Sequence, residues 1–148
     1  MSDLPAHRPP YSEEAAPFWS GAAEGHLVLP RCDACGHHIW YPRAWCPVCG
    51  SESVTWTEMS GRGTVYANTV VHKAMGPWAA AAPYVVAYVE LDEGPRILAN
   101  VVAEDPTEVT IGAGVRATFV AVADLGDDGA AGSSERPAQA ILRFVPTE

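Results

Sequence analysis

Cys32, Cys35, Cys46 and Cys49 are the only cysteines in a chain of 148 residues. Their spacing is C-x2-C-x10-C-x2-C, and glycine follows each pair, at Gly36 and Gly50. Two intervening residues let a tight turn aim both sulfurs at one ion. Glycine after the second sulfur supplies the positive φ that curls the backbone around that ion. Two such knuckles furnish four thiolates, the closed tetrahedral shell of structural Zn²⁺. A rubredoxin-type iron centre uses the same ligands; zinc is the expected occupant and iron the alternative. A redox dithiol would need an exposed cysteine of low pKa on a βα unit, and neither pair lies on one. Catalytic zinc keeps one position open, and four cysteines leave none. His37 and His38 can support the ligands or stand on a loop surface; the second is the plainer reading.

Other chemistry is sparse. The chain has no Gly-x-Ser-x-Gly elbow, His-Glu-x-x-His or phosphate loop. His72 and Lys73 end a β-type segment before an apolar loop, where they can meet an anionic group or simply face solvent. Glu90 and Asp92 flank a turn and read as solvated carboxylates. Five tryptophans are many for this length. Trp40 and Trp45 lie between the cysteine pairs beside Tyr41, and Trp78 lies in the loop AMGPWAAAAP, residues 74–83. Large rings on protruding segments are suited to anchoring a partner; local packing is the alternative.

Short elements must position these residues. Residues 1–11, with three prolines, read as a loose tail. Ser12 can cap a helix, or the helix can begin at Pro17, which is tolerated only in a first turn. Phe18, Trp19, Ala22 and Ala23 give it one apolar face, and Gly25 stops it. HLVLPRC reads as a strand entering the first knuckle, and the ten-residue spacer accommodates a two-strand excursion. From Val54 onward come VTWTEM, GTVYANTVVH, YVVAYVEL, RILANVVA, VRATFVAV and AQAILRFV. Each is rich in β-branched or aromatic residues, and turn signals separate them. DLGDDGAAGSSERP, residues 124–137, reads as a mobile glycine-rich connection. Expected is a mostly β chain: tail and helix over 1–25, a rubredoxin-like zinc ribbon over 26–53, and a five-stranded OB-fold barrel over 54–148.

Composition narrows the partners. Hydrophobic residues make up 48% and charged residues 18%, which favours a packed core. Net charge is −9, spread as −3 over residues 1–53 (3 basic, 6 acidic) and −6 over 54–148 (6 basic, 12 acidic). Nucleic-acid binding needs a cationic face, and neither half offers one. No apolar run reaches membrane-spanning length, and the start lacks the pattern of a secretory signal. The expectation is a cytoplasmic protein without membrane contact, where paired cysteines favour metal over disulfide.

Together the motifs are more specific than the cysteines alone. FW (Phe18, Trp19), RCDACG, YPR (Tyr41 to Arg43) and CPVCG precede TVVHK (Thr69 to Lys73), PYVVAYVELDEGPRILANVV (Pro83 to Val102) and IGAGV (Ile111 to Val115). Over roughly residues 12–146 the chain resembles the acyl-CoA-associated OB-fold family with an N-terminal rubredoxin-like zinc ribbon, known as domain of unknown function 35. The resemblance implies an accessory role beside thiolase-fold enzymes: thiolases, hydroxymethylglutaryl-CoA synthase assemblies and lipid-transfer-protein-like aldolases that shorten steroid side chains. Hot-dog-fold hydratases are further implied partners. It implies Cys32, Cys35, Cys46 and Cys49 as zinc ligands and no catalytic residue here, so the chain is expected not to be an enzyme by itself. Acyl-CoA would be shared with the partner, with Arg43, Arg62, His72 and Lys73 as candidates for a minor share of its phosphates. Trp40, Tyr41, Trp45 and Trp78 are the candidate partner contacts. A stand-alone acyl-CoA carrier is the alternative, followed by a nucleic-acid-binding zinc-ribbon/OB module.

Overall fold

A computed structural model describes residues 4–122 and 137–147. Contacts divide the chain into two compact units, one built around Ala6–Glu58 and the other around Met59–Thr118.

In the first unit, a 3-10 turn over Glu13–Ala15 leads into helix α1, Ala16–Ala23, with Pro17 in its first turn. The Ser12 side chain makes no capping bond. Ala15, Phe18, Trp19 and Ala22 form the buried stripe at i, i+3, i+4, i+7 spacing. Ala23 is exposed, while Gly21 is buried, its Cα close against Val28. Strand β1, Val28–Cys32, ends on the first of the four cysteines. It pairs antiparallel with β2, Val54–Glu58, in a two-stranded sheet from Val28↔Glu58 to Cys32↔Val54. VTWTEM is therefore a strand, but its partner is the ribbon strand and not the barrel. Between the knuckles the expected two-strand excursion is absent: no strand forms there, and His38 makes a single bridge back to Arg31 of β1. Pro42 and the knuckle turns curtail ladder pairing there.

Five strands form a barrel: β3 Arg62–Val71, β4 Tyr84–Leu91, β5 Arg96–Val101, β6 Gly114–Ala121 and β7 Ala140–Pro146. It closes in the order β3-β4-β5-β7-β6, the Greek-key order of an OB-fold. β4 alternates cleanly, with Val85, Ala87, Val89 and Leu91 buried and Tyr84, Val86, Tyr88 and Glu90 outward. Val65, Ile97, Val101, Val115 and Phe144 complete the apolar interior. A β-bulge between Val65 and Ala67 shifts the register against β4 and bends β3 around the barrel. At Gly63 a Cβ would press on the Glu90 carbonyl, so only glycine permits this approach of β3 to β4. The loop over 74–83 contains a 3-10 segment, Gly76–Ala81.

The N-terminal segment is not the loose tail its prolines suggest. Leu4 and Ala6 are buried, and Arg143 donates to the carbonyls of Leu4 (3.3 Å) and Pro5 (2.6 Å). Gln139 donates to Pro9 O at 3.3 Å. Of the glycine-rich connection, residues 124–136 lie outside the described residues. No described helix is long and apolar enough to cross a membrane.

Candidate metal centre

The two knuckles fold alike. In the first, Gly36 N–H donates to Cys32 O (2.9 Å) and Cys32 N–H to His37 O (2.8 Å). In the second, Gly50 N–H donates to Cys46 O (2.9 Å) and Cys46 N–H to Ser51 O (2.8 Å). Gly36 and Gly50 share one φ, +77°. The sequence repeat is thus also a repeat of backbone geometry. Asp33 fastens the first knuckle to β2: its N–H donates to Ser53 O (2.9 Å), and its carboxylate accepts from Ser53 Oγ (2.9 Å) and Thr55 Oγ1 (2.8 Å). Beneath the knuckles Ile39 packs with Cys32 and Cys46, and Val54 covers this small core.

All four sulfurs lie within 4.8 Å of one another and can hold one metal ion. Cys32 and Cys49 sulfurs are 3.5 Å apart, and those of Cys35 and Cys46 3.6 Å. An ion about 2.3 Å from each sulfur in a tetrahedron needs separations of about 3.8 Å. The donor set fits. Its softness favours zinc or iron over hard cations, and four sulfurs fill the shell.

Without an ion the thiols titrate unequally. The Cys35 N–H aimed at Cys32 sulfur outweighs burial and, with the Ala34 N–H and the Cys49 thiol, draws Cys32 down to about 6. At Cys35 the His37 N–H favours the thiolate, but burial and the thiols of Cys46, Cys32 and Cys49 push it up to about 12. Cys49 is likewise raised: the Ser51 N–H is outweighed by the Cys32 sulfur and burial. A metal ion binds thiolates, so its uptake releases protons from the raised thiols of Cys35 and Cys49.

The other candidates are dispersed. Trp40 is half-buried, edge-on to Phe18 (5.5 Å between centroids) and to Tyr41 (5.4 Å). Tyr41 and Trp45 are 42% and 48% exposed, and the Arg43 guanidinium lies 6.0 Å over the Trp45 ring. Trp78 is half-buried against Tyr84 at 5.0 Å. With Val86, Leu98, Ala99 and Asn100 these two rings line a shallow groove of about 350 Å³. Arg62 begins β3 and pairs with Asp92 at 3.8 Å, whereas exposed His72 and Lys73 follow its other end. Ten residues of strand separate them by roughly 30 Å. Arg62 and Lys73 therefore cannot grip one phosphate together.

A four-sulfur ribbon followed by a closed OB-fold barrel defines the class, the zinc-ribbon OB-fold proteins. Residues 19–55 match the family described as the ChsH2 rubredoxin-like zinc ribbon domain, and residues 56–120 the ChsH2 C-terminal OB-fold domain. A DUF35 domain-containing scaffold protein of Methanocaldococcus jannaschii is 39% identical over 104 residues, 70% of this chain and 74% of that protein. The alpha subunit of 3-oxo-4,17-pregnadiene-20-carboxyl-CoA hydratase from Mycobacterium tuberculosis is 38% identical over 114 residues. That match takes in 76% of this chain but 36% of the subunit, so the chain spans about a third of its length. Among solved structures, a chain of the Ltp2-ChsH2(DUF35) aldolase superposes with a TM-score of 0.73 at 32% identity, over 94% of this chain and 98% of that one. The chain belongs to the DUF35 family.

Proposed function

We propose that this chain is a non-catalytic accessory subunit that binds a thiolase-fold partner, an acyl-CoA thiolase or a lipid-transfer-protein-like aldolase, and supports acyl-CoA processing there. The observation that carries this reading is the end-to-end likeness to a chain of an aldolase named for two components. The metal centre supports it, because four sulfurs converge on one point and leave no position for a substrate. In this reading Cys32, Cys35, Cys46 and Cys49 hold Zn²⁺, and the ion stiffens the ribbon. Tyr41, Arg43 and Trp45 then stand on a fixed surface that a partner can read, with Trp40 braced behind them. Steroid or other acyl-CoA substrates, and a hot-dog-fold hydratase as a second partner, extend the same reading.

The test is a tagged pull-down from the native host, with co-purifying proteins identified by mass spectrometry. A thiolase-fold subunit in stoichiometric amount is the expected result. Turnover of acyl-CoA thioesters by the isolated chain at enzyme-like rates would sink the proposal.

A further inference from the structure

The barrel presents one outer face that its own packing leaves uncovered. Strand register puts Tyr88 of β4 opposite Ala67 of β3 and opposite Leu98 of β5. The bulge sets Tyr66 beside Ala67 in the same row. Directly paired residues share a face of the sheet, so Tyr66, Tyr88 and Leu98 form an outward row across three strands. They are 50%, 47% and 54% exposed. Beyond this row, Val86 and Tyr84 continue the apolar surface to Trp78, and Met75, three residues earlier in the chain, is almost wholly exposed. On the other side Arg96 lies 3.8 Å over the Tyr66 ring, pinned by Glu90 at 2.8 Å. By strand spacing and rise the face measures roughly 15 by 25 Å, the scale of a functional patch.

Charge sets this face apart. From Met59 to Val89 the sequence has no Asp or Glu, while it includes Arg62 and Lys73, in a chain of net charge −9. On β3, β4 and β5 the one carboxylate is Glu90, and Arg96 pairs with it at 2.8 Å, so an acidic approach meets little repulsion here. Tyr, Trp, Met and Arg are also the residues enriched where proteins meet, and Asp, Glu and Lys those depleted. A small ligand suits the face less well. Its groove is shallow, and the Asn100 amide in it already donates to Val85 O at 2.9 Å.

We infer that the outer face of β3, β4 and β5, centred on Tyr66, Tyr88 and Leu98, is a second surface, besides the ribbon residues, by which this chain binds its protein partner, through a partner patch with an apolar centre and a carboxylate rim. The inference rests on the reading of the chain as an accessory subunit and names a surface that reading needs. Tyr66 and Arg96 are held ready by their stacking, so little side-chain freedom is lost on docking. Exposed Lys73, just past the end of β3, is the cation placed to meet the rim, while Arg96 is neutralised by Glu90.

The experiment uses the full-length chain and the thiolase-fold subunit it captures, purified separately, with Kd measured by biolayer interferometry. Leu98→Glu puts a charge in the centre of an exposed row and leaves the barrel interior intact. It is expected to weaken binding tenfold or more. Lys73→Glu is expected to weaken binding several-fold, with a loss that shrinks in high salt. Hydroxyl-radical footprinting of the wild-type complex, which needs no variant, should show Tyr66 and Tyr88 protected. A folded Leu98→Glu chain with wild-type Kd overturns the inference and leaves the accessory reading standing. If the wild-type chain captures no thiolase-fold protein, both fall. If Leu98→Glu instead abolishes a dimer seen by light scattering of the chain alone, or its calorimetric binding of acyl-CoA, the face serves a second copy or a small ligand and the inference is overturned.

Discussion

Sulfur is the only donor type at the metal centre, and each sulfur has its own support. Cys32 and Cys46 are buried and fixed by the Ile39 core, while Cys35 and Cys49 close the shell from the surface. Replacing any one thiolate leaves three soft donors and an open position. Cys35→Ser and Cys46→Ser are each expected to drop bound metal from one equivalent to a minor fraction. Elemental analysis of desalted protein measures this and separates zinc from iron. A full equivalent retained by either variant would remove that residue from the shell. The convergence of these four sulfurs was legible in the sequence because spacing and the following glycines fix both turn and donor. The outer row was less legible. Tyr66, Tyr88 and Leu98 each sit in an ordinary β segment, and only the register reveals that they adjoin. The carboxylate-free run from Met59 to Val89 was the available signal, and it points to a region without naming its residues. Gly63 is a further residue whose role needs the third dimension. A methyl there presses on the Glu90 carbonyl in the barrel wall, so Gly63→Ala should cost about 1–3 kcal/mol in urea unfolding.

Elements follow their sequence periods well, and their partners less so. The helix, the β1 segment and all five barrel strands occur where their patterns place them. VTWTE has the composition of a barrel strand, yet Asp33 binds Ser53 and Thr55 and draws it beside β1. Pairing is decided by such contacts between distant residues, which composition does not encode. The proline-rich N-terminal segment is a similar case. Its carbonyls are acceptors for Arg143 and Gln139, and a carbonyl leaves no mark in a sequence. One turn gives a pH-dependent prediction. Asp105 caps the 3-10 turn Pro106–Glu108, accepting from Thr107 Oγ1 (2.6 Å) and Thr107 N–H (2.8 Å). The hydroxyl bond, then the N–H bond, hold its carboxyl below the usual range. A depressed folded pKa stabilises the fold above the unfolded value of about 3.9 and ceases to do so as pH falls through the folded value. Asp105→Ala should therefore lower Tm at pH 7, and the gap from wild type should close in acid. A gap constant from pH 7 to pH 3 would contradict this role.

At the scale of the whole molecule the two units depend on different forces. The barrel buries Val65, Val85, Val89, Leu91, Ile97, Val101 and Phe144, a hydrophobic interior of its own. Between residues 33 and 53 the ribbon buries only Ile39, Pro42 and Cys46. So small a core cannot offset the entropy of ordering those residues, and in the proposed reading metal ligation supplies the difference. Structural zinc sites contribute about 10–16 kcal/mol of apparent binding free energy at neutral pH, ample for that purpose. Chelation should thus unfold the ribbon and leave the barrel. In amide correlation spectra, resonances from residues 33–53 are expected to collapse to unfolded positions while those of β3, β4 and β5 persist. Readdition of one equivalent of Zn²⁺ should restore them. Lower pH should act like the chelator, because protons compete for the thiolates that the ion requires. Partner binding distinguishes what each unit does. With the barrel face intact and the ribbon unfolded, the complex should weaken strongly, because the surface bearing Tyr41, Arg43 and Trp45 is lost. Partner binding at full strength after verified metal loss would show that the barrel face alone carries the interaction and that the ribbon serves another purpose.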